Sequence, residues 1–292
     1  METVTKPLPP KQGIAAPITT LIGTASRRSR RRRDASPAAR FWQPTLAVIA
    51  VLLLWEVSSR TGLVPSSALP PFSEVMSAVP ALVTSGDFWA ATGQTLFSTV
   101  VGLVIMAIIA FPMAILTGLS KFARESTSLP FELLKPIPPV AMIPLGLLLW
   151  GPSETMKLVL IVFGAFWPFY TQLTYGVREI DTVASDMAKS YRLSPWTVIT
   201  RVYLPSLLPF ATTGFRVSAS IALIVSVVTE LIGGARGLGR SIMVAQSSGS
   251  LDTMYALILF TGVLGLTINY LLEAAERPLL FWHATYRKEA AS

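Results

Sequence analysis

Few side chains in this sequence are equipped for covalent chemistry. It holds one histidine, His283, and no cysteine. A Ser-His-Asp relay, a histidine metal cluster, a thiol nucleophile and a disulfide all lack their material. No G-x-x-x-x-G-K-[ST] run occurs, so there is no P-loop. The run GGARGLGRS, 233–241, is rich in glycine, yet it follows an apolar segment rather than a strand and turn, which argues against a phosphate cradle. Gly237 and Gly239 suit instead a close backbone approach or an irregular turn. What remains is charge in unusual places. Arg216 and Glu230 fall inside long apolar runs, Glu56 ends another, and Lys135 sits in a proline-rich one. A charge at mid-membrane costs on the order of 3 kcal/mol by insertion scales, so Arg216 and Glu230 are candidates for a pathway or a gate. Arg216 is expected to face a cavity or pair with a neighbour, unless it snorkels. Glu230, near the end of its run, fits a hydrated gate or ordinary interfacial placement.

The elements that must hold these residues are apolar helices. Of 292 residues 52% are hydrophobic and 14% charged, and the mean hydropathy is +0.57. Soluble domains carry about 25% charged residues, and a membrane helix needs about 20 apolar ones in a row. The fold class is all-α and polytopic, with six spans: Phe41 to about Val57, about Thr92 to Leu119, about Leu129 to Trp150, about Leu158 to Gly176, Leu207 to about Ile232, and about Met254 to Leu272. The alternating ten-residue segments of a membrane barrel are absent. The third span, LPFELLKPIPPVAMIPLGLLLWGP, contains Pro136, Pro138, Pro139 and Pro144. Interior prolines free carbonyls that lipid cannot satisfy, so Pro138 and Pro139 point to a helix that lines something, with a kinked packing helix as the alternative.

Six spans put both ends of the chain on one side. That side collects 18 lysines and arginines and the other 4, which makes it the cytoplasm. The formal charge of +8 is concentrated in a basic start, 1–40, with too little apolar surface to fold alone. It reads as a topology signal rather than a nucleic-acid arm. A secretory leader is disfavoured by the length of the first apolar run; a transit peptide is the other reading. The spans fill 41–276, and 277–292 is a cytoplasmic tail.

One stretch breaks the pattern: DMAKSYRLSPWTVITRVYLPSLLP, 186–209. Asp181 can cap a helix whose Ala184, Met187, Ala188 and Tyr191 recur at helical spacing. Ser194 then caps a second helix with Pro195 in its first turn. Trp196, Ile199 and Tyr203 form its stripe, and Leu204-Pro205 ends it. Two short amphipathic helices at an angle make a compact knob within 177–206. An interfacial helix lying on headgroups is the competing reading.

The spacing in this stretch resembles the signature of ABC-importer permeases: Glu-Ala-Ala, three residues, Gly, nine residues, Ile-x-Leu-Pro. Here Asp186-Met187-Ala188 is followed by Arg192 at the glycine position and Val202-Tyr203-Leu204-Pro205 at the required distance. LWEV, LPPFSEV, KPIPPVAMIPLGLLLWG and TTGFRVSASIALIVSVVTELIGGARGLG are similar to the nitrate/sulfonate/taurine branch at corresponding places. Asp186 shortens the reach of the carboxylate. Arg192 stands where glycine permits φ > 0, which costs arginine more, so a different backbone is expected at that turn.

The resemblance implies a type I permease in a bacterial inner membrane, acting as a homodimer on two cytoplasmic ATPase subunits that bind ATP and Mg. The chain itself would hold no cofactor or metal and hydrolyse nothing. An external binding protein would deliver a small anion of the sulfonate, nitrate or aromatic carboxylate class. Asp186, Met187, Ala188, Tyr191, Arg192, Ser194, Trp196, Leu204 and Pro205 would couple to the ATPase. Arg216, Glu230, Pro138, Pro139, Gly237 and Gly239 would belong to the path or gate. An ion-coupled carrier or channel without an ATPase is the alternative function; an intramembrane enzyme is weaker still, with no nucleophile and base to run it.

Overall fold

A computed structural model describes residues 37–280; the basic start up to 36, His283 and most of the final tail lie outside them. Every regular element among the described residues is helical. Contacts divide the chain into two units, 1–58 and 59–292. The first holds nearly all of α1 (Pro37–Arg60), which covers the first expected span.

The second unit runs through α2 (Phe72–Thr84), α3 (Gly86–Leu119), α4 (Lys121–Leu134), a 3-10 turn (Pro139–Met142), α5 (Ile143–Trp150), α6 (Glu154–Arg178), α7 (Thr182–Ser190), α8 (Pro195–Val198), α9 (Leu204–Gly233), α10 (Leu238–Ser247) and α11 (Leu251–Leu279). Helices α3, α6, α9 with its flanks, and α11 are long and apolar enough to cross a membrane. They coincide with the second, fourth, fifth and sixth expected spans.

The third expected span is not one rod. It divides into α4 and the stretch Pro139–Trp150, bent by 80° against each other. Proline chemistry explains the break: Pro136, Pro138 and Pro139 supply no backbone donors across the junction, and Pro138 is extended at φ −66°, ψ 127°. Helix α4 buries no residue. Its start is nevertheless built in, because Ser120 Oγ accepts from Ala123 N at 3.2 Å. Arg124 reaches back to the last carbonyls of α3, donating to Thr117 O at 3.2 Å and Gly118 O at 2.9 Å. A cation at a helix C-terminus satisfies orphan carbonyls and opposes the dipole.

Helix α6 is the spine of the core, packed between α3 and α9. Met156, Leu160, Ile161, Ala165, Phe169 and Leu173 are buried along it. Ser218 Oγ of α9 donates to Ala165 O at 2.8 Å, a polar tie between spans of the kind that membranes use. Pro139 rests on α6 where residue 164 is glycine; a Cβ there would stand 2.9 Å from Pro139 Cγ.

Candidate functional site

The polar interruption folds as two short helices joined by a sharp turn. Asp181 Oδ1 accepts from Val183 N at 2.8 Å and starts α7. Ser194 Oγ accepts from Thr197 N at 3.2 Å and starts α8, as the cap spacing predicts. At the turn the expectation fails. Arg192 keeps the left-handed conformation, φ 49°, and is the one non-glycine residue with positive φ among those described. Tyr191 N donates to Met187 O at 2.9 Å and Leu193 N to Ala188 O at 3.0 Å. The second bond is the six-to-one closure of a Schellman motif, with Arg192 at the position that glycine ordinarily fills. Two backbone bonds over-determine the turn, so the arginine adopts the glycine conformation instead of altering it.

A second expectation also changes. Leu204-Pro205 does not end the second helix. A π turn over Ile199–Tyr203, with Leu204 N bonded to Ile199 O, carries α8 into α9. Pro205 then falls in the first turn of α9, where a missing donor costs little. Of the elbow's apolar residues, Ala188 is buried, whereas Met187 is 54%, Tyr191 74% and Trp196 73% exposed. Asp186 and Leu204 are exposed as well.

At the opposite end of α9 Glu230 is closed off from the surface. It is fully buried. Lys157 of α6, also fully buried, donates to its Oε1 at 3.1 Å. Thr95 of α3 bonds Oε2 at 2.9 Å, Gly239 N donates to Oε2 at 3.0 Å, and Ser226 Oγ lies 3.2 Å from Oε1. Lys157 also donates to Arg236 O at 2.8 Å and sits 3.3 Å from Glu154, whose carboxylate accepts from Ser98 Oγ at 2.8 Å. Leu238 N donates to the Thr95 hydroxyl at 2.9 Å. The Glu230 carboxylate therefore fills the N-terminus of α10, where free amides and the dipole favour an anion. Glycine at 237 and 239 is what lets the loop close on it. Gly237 has φ 145°, a Cβ there would collide with the Glu230 carboxylate, and one at Gly239 would collide with Val227 O.

Arg216 does pair with a neighbour. Its guanidinium holds both oxygens of Glu276 on α11 and lies 4.0 Å from Glu273. Pro138 is exposed and Pro139 half-buried at the bend. The predicted site residues thus form four groups spaced along the chain: the prolines at the bend, the elbow, the Arg216 tie, and the Glu230 end with Gly237 and Gly239. Sequence reasoning missed Thr95, Glu154, Lys157, Ser226 and Glu276. Only Glu154 and Lys157, one helical turn apart beside the Ser153 cap, gave a local hint.

Near the Glu230 end a cavity of about 900 Å³ opens between α2, α3, α10 and α11, lined in part by Asp87, Gln94, Arg236 and Arg240.

A polytopic helical bundle with a proline-broken span, a two-helix elbow feeding one span and a glycine hairpin at that span's far end describes a transporter's membrane subunit. Residues 109–279 match the family described as binding-protein-dependent transport system inner membrane component, and the chain belongs to that family. It is an ABC importer permease of the sulfonate, taurine and bicarbonate branch. TauC of Escherichia coli (strain K12), a taurine transport system permease protein, is 29% identical over 87% of this chain and 95% of its own. SsuC of Bacillus subtilis (strain 168), named for aliphatic sulfonates transport, is 29% identical over 84% of this chain and 89% of its own. Among solved structures, an inward-facing MetNI methionine ABC transporter superposes with a TM-score of 0.54 at 19% identity, covering 66% of this chain and 94% of that one. That likeness is of fold, the type I importer permease fold.

Proposed function

We propose that this permease works as a pair of copies driven by separate cytoplasmic ATPase subunits, which alone bind ATP and Mg, and that it passes a small anion delivered by an external binding protein. The reading keeps both termini in the cytoplasm of a bacterial inner membrane, on the side of the elbow. The observation that carries it is the elbow itself: Met187, Tyr191 and Trp196 are exposed on two capped helices joined at Arg192, which suits a groove in a soluble partner. Exposed aromatic anchors beside a charge are what such interfaces use. ATP and the loaded binding protein would each favour one packing of the pair, and only that difference in affinity moves the equilibrium.

Anionic cargo is supported by the names of relatives, which include aliphatic sulfonates, taurine and bicarbonate, and by Arg236 and Arg240 at the far mouth, whose field would draw anions. The Glu230 network would hold the far-end hairpin closed. Ion coupling without an ATPase gains nothing from Glu230, since Lys157 neutralises it. The test is affinity capture of the cognate ATPase by tagged permease. The Asp186→Arg variant should lose at least about tenfold in recovered ATPase, the worth of a misplaced charge at an interface, while inserting normally. Equal recovery by wild type and variant would refute the docking role of the elbow.

A further inference from the structure

The cavity near the Glu230 end, about 900 Å³ and open between α2, α3, α10 and α11, carries charges that helix stability does not explain. Six spans leave four lysines and arginines on the outer side: Arg60, Lys157, Arg236 and Arg240. Lys157 is buried against Glu230, and Arg60 donates to Ser73 Oγ at 3.0 Å. The other two both line this one cavity. They are exposed, and neither has an ion pair among the described residues. Arg240 stands in the first turn of α10, where the helix dipole disfavours a cation. Asp87 lines the cavity too, but it lies in the first turn of α3, where an anion suits the dipole, and it pairs with neither arginine. Gln94 adds an amide without a protein partner, and Leu82, Phe88 and Leu257 supply apolar wall.

Two guanidiniums without a counter-ion, an amide and an apolar wall are the complement of a small organic oxyanion. A guanidinium bonds such a group through two parallel N–H donors. The volume lies within the range of ligand pockets, about 300–1,000 Å³.

The cavity also shares backbone with the Glu230 network. Arg236 lines the cavity with its side chain, while its carbonyl accepts from Lys157 at 2.8 Å. Gly237 is the next lining residue. The two amides after it close the network, Leu238 N on Thr95 at 2.9 Å and Gly239 N on Glu230 at 3.0 Å. An anion held by both Arg236 and Arg240 therefore grips the two flanks of the segment that the network holds.

We propose that Arg236 and Arg240 form an outer receiving site for the sulfonate or carboxylate group of the cargo, and that filling it releases the start of α10 from Glu230. The proposal deepens the importer reading and rests on it for the direction of the effect, since an importer's outer closure must yield when cargo arrives. The anion achieves this by binding the released state more tightly than the closed one.

The experiment uses the full-length permease in lipid nanodiscs, with no binding protein present. Val244→Cys, at a lining residue 54% exposed, carries a trifluoroethylthio group as a fluorine NMR probe in the otherwise cysteine-free chain. Ethanesulfonate is titrated at constant ionic strength against ethyl methyl sulfone, a neutral molecule of nearly the same shape. The fluorine signal should move with the sulfonate and not with the sulfone. Arg240→Gln should raise the half-saturation at least about tenfold, the loss of a charge-assisted bond. Arg240→Lys should recover only part of it, because lysine keeps the charge without the fork. If Arg240→Gln does not fold, Arg236→Gln carries the same expectation. In the unlabelled chain, saturating sulfonate should speed amide exchange at Leu238 and Gly239 at least about threefold. A still signal, an equal response to the sulfone, or an unchanged half-saturation in the folded variant overturns the site. A response that needs added binding protein overturns it as well, because the anionic group is then the binding protein's own. Unchanged or slower exchange overturns the release. ATPase capture at the elbow involves none of these residues, so its failure would end the importer reading and leave this titration interpretable.

Discussion

Glu230 and Lys157 form a pair with no exposed surface on either side chain. Such a pair gives little net stability against an apolar substitute, but breaking it leaves one bare charge in a dry interior. Lys157→Met alone should therefore destabilise the chain by about 3–5 kcal/mol, and Glu230→Gln combined with it should recover most of that loss. Thermal unfolding of the three detergent-solubilised proteins, single, single and double, measures it; additive losses would mean that the two side chains do not act together. The pairing was not legible in the sequence. Its members are 73 residues apart, on helices whose contact is set by packing rather than by local pattern. Arg216 was legible as a charge needing a partner, yet nothing local named Glu276, 60 residues on.

At the scale of elements, the helices that could be read were those with long apolar runs or strong capping residues. Asp181, Ser194 and Pro195 announced α7 and α8 because cap chemistry is local. The prolines at 136–139 announced the break in the third span, though not the 80° angle at which its two halves meet. Helices α2 and α10 were not expected. Each is short and amphipathic, and α10 emerges from a glycine run whose purpose appears only once the Glu230 carboxylate is seen filling its start. The turn between α7 and α8 corrects a different kind of inference. Propensity argued that arginine would reject φ > 0, and the closure by Leu193 N overrode it. A left-handed arginine still costs about 1–2 kcal/mol, part of which glycine returns as extra freedom in the unfolded chain. Arg192→Gly should then stabilise the elbow by about 1 kcal/mol and slow exchange of the Leu193 amide about fivefold. Hydrogen exchange resolved to that amide checks it; faster exchange in the variant would mean that the arginine side chain, not the turn, holds the elbow.

For the whole molecule, orientation is the property that the charge bias predicts. The chain has no cysteine, so single cysteines can be introduced on a silent background. Ser194→Cys at the elbow should react with a membrane-impermeant maleimide only from the cytoplasmic face. Ser248→Cys, past α10, should react only from outside. Labelling of sealed right-side-out and inside-out vesicles decides it, and reversed access would overturn both the orientation and the function built on it.

The π turn that fuses α8 to α9 has a mechanical meaning. Between Trp196 and the Glu230 carboxylate the chain has no loop, only helix joined to helix, over a distance of roughly 50 Å at 1.5 Å per residue. If the elbow is driven as proposed, a twist given at Trp196 would reach the glycine hairpin along that shaft of helix, and the Glu230 network would have to ride with it or let go.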